Sequence, residues 1–221
     1  SDMLTQDFAI GLLVFIGLVF SLVIHECAHA IVASWCGDDT ARLLGRITLN
    51  PMPHIDPFMS ILVPAGMLIM SGGTLAFGGA KPVPVNIYRL RHPRRDMMWV
   101  ALAGPISNVL LAVAFTLAAN LLIFLRRFDP ELSDSLGQVF VRVVAVNLLL
   151  ALFNMLPVPP LDGSRVLSYF LPNDLAALLA RAEPFGMMFV AFLVMSRLTS
   201  AIQFPVVLGT KWLFQHLIFL N

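Results

Sequence analysis

Phe8 to Ile24 reads FAIGLLVFIGLVFSLVI, without a single charge, and runs straight into His25-Glu26-Cys27-Ala28-His29. An apolar run of that length predicts a membrane-spanning helix, from about Gln6 to Ser34, ending before the breakers Gly37-Asp38-Asp39. In a helix, residues four apart share a face, so His25 and His29 can hold one metal ion with Glu26 beside it. Two imidazoles and a carboxylate that takes a proton from metal-activated water form the zinc-hydrolase pattern. Ionisable groups at membrane depth are costly and mark function. Cys27, two residues after His25, faces away from the ligand stripe and reads as a packed thiol.

Composition agrees with a membrane protein. Of the 221 residues 58% are hydrophobic and 12% charged, and the mean hydropathy is +0.86; soluble domains carry roughly 25% charged residues. The expected fold class is an all-α polytopic membrane protein. Its core is three transmembrane helices with a short re-entrant or β-like segment, followed by two C-terminal helices. A net charge of +1 and the lack of a long basic run give no reason to expect a nucleic-acid partner. Cys27 and Cys36 are too few for a disulfide framework. Ser1-Asp2 ahead of Met3 reads as a tag remnant, leaving 3–221 as one domain with a core over about 8–165. The first run has neither a basic flank before it nor a small-residue cleavage site after it, so it is not read as a signal peptide.

Along the chain, Ala41 to Leu49 ends in alternation and predicts a short strand. Asn50-Pro51-Met52-Pro53-His54-Ile55-Asp56-Pro57 is a breaker-rich loop. Phe58 to Met70 is apolar but short, and Gly72-Gly73 to Val85 reads as loop or ragged strand. Further spans are expected at about Met97 to Leu125 and Val139 to Leu156, with a polar turn from Arg126 to Ser135 between them. Asn173 to Glu183 predicts a surface helix, and Pro184 to Ser196 and Phe204 to Leu220 two apolar helices.

Two histidines leave a catalytic zinc one protein ligand short. Asp162, in Asn154-Met155-Leu156-Pro157-Val158-Pro159-Pro160-Leu161-Asp162-Gly163, stands where three prolines end the last core span. Irregular backbone at that depth persists only around a cavity or within protein. Asp162 is either the third ligand, a helix cap for the residues that follow, or a partner of Arg165.

His25-Glu26-x-x-His29 together with Asn154-x-x-Pro157-x-x-x-Leu161-Asp162-Gly163 resembles the site-2 protease family, intramembrane zinc metalloproteases that cut transmembrane substrates. Ala103-Gly104-Pro105-Ile106-Ser107-Asn108 matches a further family segment. Asn50-Pro51 with His54-Ile55-Asp56-Pro57, and Gly79-Ala80-Lys81-Pro82-Val83-Pro84-Val85-Asn86, resemble a compact prokaryotic subgroup without a PDZ insert. The resemblance implies one zinc ion per chain on His25, His29 and Asp162, with Glu26 as general base. It also implies transmembrane protein substrates, a lipid bilayer and a prokaryotic cell membrane; it leaves the oligomeric state open.

Topology bears on the same ligand set. Ligands must converge at one depth, so an even number of crossings separates the ends of the first and last core spans. This is met if Phe58 to Met70 is re-entrant, which its length favours over a span. Arg42, Arg46, Lys81, Arg89, Arg91, Arg94, Arg95 and Arg165 then share one side, which the positive-inside rule makes cytosolic.

Asn154 can donate its amide to the tetrahedral oxyanion or bond between helices. Asn108, with Gly104 and Ser107, reads as structural support on a small-residue face. His54 approaches the metal, contacts substrate, or orders its loop with Asp56. His92 and His216 read as interfacial. An unwound substrate needs partners for its backbone, and Arg46-Ile47-Thr48-Leu49 and Gly78 to Val85 are the candidate edges for strand addition, the second weakened by Pro82 and Pro84. The alternative to an endopeptidase is a metal-binding membrane scaffold or transporter that does not cut; intact Glu26 and ligands speak against the first, and spans nearly free of ionisable groups against the second.

Overall fold

The computed structural model describes residues 2–56, 81–195 and 198–218. Helix α1 (Asp2–Trp35) has 34 residues, about 51 Å at 1.5 Å per residue, which exceeds the ~30 Å hydrocarbon core of a bilayer. It exposes Phe8, Leu12, Phe15 and Ile16 on its outer half, as a lipid-facing helix does.

After α1 comes a single turn, α2 (Thr40–Leu43), where a strand was expected. Asp38, fully buried, accepts from Thr40 N–H at 3.0 Å and so starts that turn. Gly45 then reverses the chain at φ +67°, which breaks the alternation before it can pair. No strand occurs among the described residues. The expected re-entrant segment, Phe58 to Met70, and the stretch from Gly72 to Ala80 lie outside the described residues.

Helix α3 (Pro93–Ala118) and the short α4 (Asn120–Leu125) make one apolar column. Pro93 sits in the first turn, where its missing N–H costs nothing, and Asp96 reaches back to accept from His92 N–H at 2.7 Å. Helix α5 (Pro130–Asn154) begins at Pro130, not Val139, because Asp129 caps it by accepting from Leu132 N–H at 2.9 Å. These are the three helices long and apolar enough to cross a membrane among the described residues.

Side-chain contacts fix the direction of each helix. His25 and His29 on α1 pair with Asn108 and Val100 on α3, so those two run antiparallel. On α5, Asn147 pairs with Ser21 of α1 and Ser135 with Gln6, so these two run parallel, and Asn108 meets Asn147. The C-terminal ends of α1 and α5 therefore lie on the same side as the N-terminus of α3. Small buried residues such as Ala30, Ala33 and Ala112 let the helices approach.

Past a proline-rich turn, helix α6 (Asp162–Phe170) packs against α3. Helices α7 (Asn173–Arg181), α8 (Glu183–Met195) and α9 (Leu198–Leu217) complete the chain, and Leu213 of α9 covers Ala112 and Val144. Arg94 ties the start of α3 to this region, donating to Asn173 Oδ1 at 2.8 Å and to the carbonyls of Ser168 and Leu171.

Candidate metal centre

His25 and His29 lie one turn apart on α1 and point the same way, with ring centroids 4.6 Å apart and planes at 86°. Their Nε2 atoms are 3.0 Å from each other. Asp162, at the first position of α6, places Oδ2 3.2 Å from His25 Nε2 and 3.4 Å from His29 Nε2. Asp162 is not engaged by Arg165, whose guanidinium goes to Glu183 at 3.6 Å.

The protons on the rings are accounted for on the far side. His29 Nδ1–H donates to the Val100 carbonyl at 2.6 Å. His25 Nδ1–H donates to Asn108 Oδ1 at 2.6 Å, and Asn108 Nδ2 donates in turn to Asn147 Oδ1 at 3.0 Å. In the neutral rings both Nε2 atoms are thereby the lone pairs. Asp162 Oδ2 is buried and has no hydrogen-bond donor. Three ligand atoms facing one point, within 4.8 Å of one another, can hold a cation between them. Two imidazoles and a carboxylate are a catalytic zinc donor set.

Close packing enforces this convergence. A Cβ on Gly104 of α3 would stand 2.5 Å from His25 Nε2 and 2.5 Å from His29 Nε2, so glycine alone leaves the imidazoles room. A Cβ on Gly163 would collide with the backbone carbonyls of Met155 and Leu156. That collision would push α6, and Asp162 with it, away from α1.

Glu26 is half-buried beside the histidines, and its Oε2 accepts the N–H of Val83 at 2.9 Å. Val83 belongs to an extended strap, residues 81–86, lying along the end of α1. Among the described residues no strand pairs with the strap, which is held by side chains and by one main-chain bond. Arg46 donates to the Lys81 carbonyl at 2.7 Å, Asp38 accepts from Asn86 N–H at 2.6 Å, and Val83 packs on Ala30 and Ala41. Lys81 N–H donates to the His54 carbonyl at 2.7 Å.

The other predicted residues lie outside the three-ligand cluster. Asn154 ends α5 half-buried, and its Nδ2 donates to Leu150 O of its own helix at 2.9 Å. Buried His54 donates through Nε2 to the Thr48 carbonyl at 3.1 Å and stands outside the three-atom cluster. Asn108 is fully buried and holds His25, which gives its structural support a specific object. The Cys27 thiol faces the carbonyls of Thr48 and Arg46, away from the metal side.

Sequence reading missed Asn147 and Ser21. Ser21 lies four residues before His25, on the same stripe of α1, and that spacing was the available signal.

Residues 13–128 and 121–196 match the profile of peptidase family M50. The chain belongs to peptidase family M50. Its relatives include "Putative zinc metalloprotease YwhC" of Bacillus subtilis, 41% identical over 184 residues, covering 81% of this chain and 78% of that protein. "Putative zinc metalloprotease Rip2" of Mycobacterium tuberculosis is 32% identical over 202 residues, covering 91% of this chain and 73% of the relative. "Putative zinc metalloprotease MJ0611" of Methanocaldococcus jannaschii is 37% identical over 97 residues, covering 43% and 47%. No solved structure matches the chain. This M50 protein is a multi-pass membrane zinc metalloendopeptidase, which sets aside the scaffold and transporter readings.

Proposed function

We propose that the chain is an intramembrane endopeptidase that cuts peptide bonds in or near the transmembrane segments of membrane-protein substrates. The observation that carries this reading is the meeting of His25 and His29, on a membrane-length helix, with Asp162 at the start of α6, and with Glu26 beside them. His25, His29 and Asp162 would hold the metal, and a zinc ion bound by them would supply Lewis-acid chemistry and water activation near neutral pH.

The protein's own groups do the rest. Glu26 takes the proton of the attacking water and delivers it to the leaving amine. The amide proton of Asn154 not given to Leu150 stabilises the carbonyl oxygen as it gains negative charge. Asn108 and the Val100 carbonyl hold the imidazoles so that neither rotates as charge develops. The basic residues of α2 and the turn after it (Arg42 and Arg46), of the strap (Lys81) and of the start of α3 (Arg94 and Arg95) support an orientation with the site toward the cytosolic face of a cell membrane.

Cleavage of a single-span substrate in detergent tests the reading, comparing wild type with Glu26→Gln and with wild type plus 1,10-phenanthroline. Both treatments should abolish cleavage while Glu26→Gln retains its zinc. Zinc-loaded wild type that leaves a varied panel of membrane substrates uncut would defeat it.

A further inference from the structure

Behind His25 a line of polar side chains crosses the whole helical core. Asn108, Asn147 and Ser21 are all fully buried and come one each from α3, α5 and α1. Asn108 Nδ2 donates to Asn147 Oδ1 at 3.0 Å. Asn147 Nδ2 donates to Ser21 Oγ at 2.9 Å and to the Val143 carbonyl at 2.9 Å. Ser21 Oγ donates to the Gly17 carbonyl at 2.7 Å.

The direction of every bond in this line follows from its far end. The carbonyls of Gly17 and Val143 can only accept. The Ser21 hydroxyl spends its proton on Gly17, so its oxygen is presented to Asn147 as an acceptor. Asn147 must then turn its NH2 toward Ser21 and Val143, since a flipped amide would set its oxygen against the Val143 carbonyl. Its oxygen is left facing Asn108, which must answer with NH2. Asn108 in consequence offers oxygen to His25, and His25 must carry its proton on Nδ1. Two main-chain carbonyls on the far side of the core thus determine that His25 carries its proton on Nδ1, which in the neutral ring makes Nε2 the lone pair.

We propose that Asn147 and Ser21 are positioning residues for the metal centre, acting through Asn108 to lock the tautomer and ring plane of His25. The proposal rests on His25 being a zinc ligand. Outer partners of this kind typically change metal affinity by roughly 10–100-fold. The line also satisfies each of its members, as a buried polar network must if it is to rigidify its surroundings.

The test uses the full chain in detergent and reads zinc affinity by competition with a chromophoric chelator, with the visible spectrum of the cobalt(II) form as a second signal. Asn147→Leu should weaken zinc binding roughly 10–100-fold and alter the cobalt bands, and Ser21→Ala should do the same more mildly. Thr116→Val, which removes a buried hydroxyl bonded only within α3, should leave affinity and spectrum unchanged. Asn108→Leu combined with Asn147→Leu should bind zinc no more weakly than Asn108→Leu alone, because the two act in one line.

Wild-type affinity in folded Asn147→Leu, or full additivity with Asn108→Leu, would overturn the relay. Should Asn147→Leu fail to fold, Ser21→Ala decides, and an unchanged affinity and spectrum there overturn it equally. A wild type that binds no zinc would remove the underlying reading, a result distinct from either.

Discussion

Two glycines do at the residue scale what no side chain could. Gly104 gives its missing Cβ as the space into which His25 and His29 turn, and Gly163 lets α6 start hard against the end of α5. Gly104→Ala should fold, since alanine is the better helix former by about 1 kcal/mol. It should nevertheless displace both imidazoles. A displacement on the order of 1 Å at a catalytic centre costs about a hundredfold in rate, so cleavage should fall by that order while helicity by circular dichroism is kept. Wild-type zinc content and rate in Gly104→Ala would contradict the packing argument. The histidines and Glu26 were legible in the sequence because their helical spacing is itself the coordination geometry. Asp162 was one of three options from its own residues, because a carboxylate at a helix start is an equally good cap, and only the resemblance of the motif around it singled it out as a ligand. Asn147 was not legible at all: one amide in an apolar span looks like any interhelical contact until its neighbours are known.

Long apolar runs announced α1, α3 and α5, whereas the short elements depended on contacts far away in sequence. The strand expected over Ala41 to Leu49 gave way to a helical turn because Asp38 and Gly45 bracket it. Helix α6 was hidden by the prolines before it. Among the described residues the strap over 81–86 has no paired strand; Pro82 and Pro84 remove two of its donors, and the N–H between them, on Val83, goes to Glu26. A charged acceptor makes that bond roughly twice as strong as a neutral one. Glu26→Gln should therefore speed hydrogen exchange at the Val83 amide by roughly fivefold, the equivalent of about 1 kcal/mol. Protection equal to wild type would mean that the bond is not made in solution. Arg46→Met, which removes the donor to the Lys81 carbonyl, should raise exchange along the strap more broadly.

For the whole molecule, metal and fold are one equilibrium. The cluster draws on α1 and α6 at once, so a ligand that binds only the folded chain stabilises it by RT ln(1 + [L]/Kd), about 4 kcal/mol at a thousandfold excess over Kd. Stripping zinc should lower the thermal midpoint in detergent, and readdition should restore it; a midpoint indifferent to chelation would mean that the site adds nothing to the fold. Single cysteines introduced at Arg91 and at Glu131 should be labelled from opposite faces of a sealed vesicle, with Arg91 on the cytosolic side. Labelling of both from one face would refute the three-span topology. The polar line behind His25 has a further consequence, for heredity. Its end points, the carbonyls of Gly17 and Val143, belong to the main chain, and no base change in the gene can delete them. Mutation can strip the amide from position 147 or the hydroxyl from position 21, yet the anchors outlast the loss. A later change that returns a donor of the right length finds them still in place, so a lineage that has lost the arrangement keeps a short road back to it.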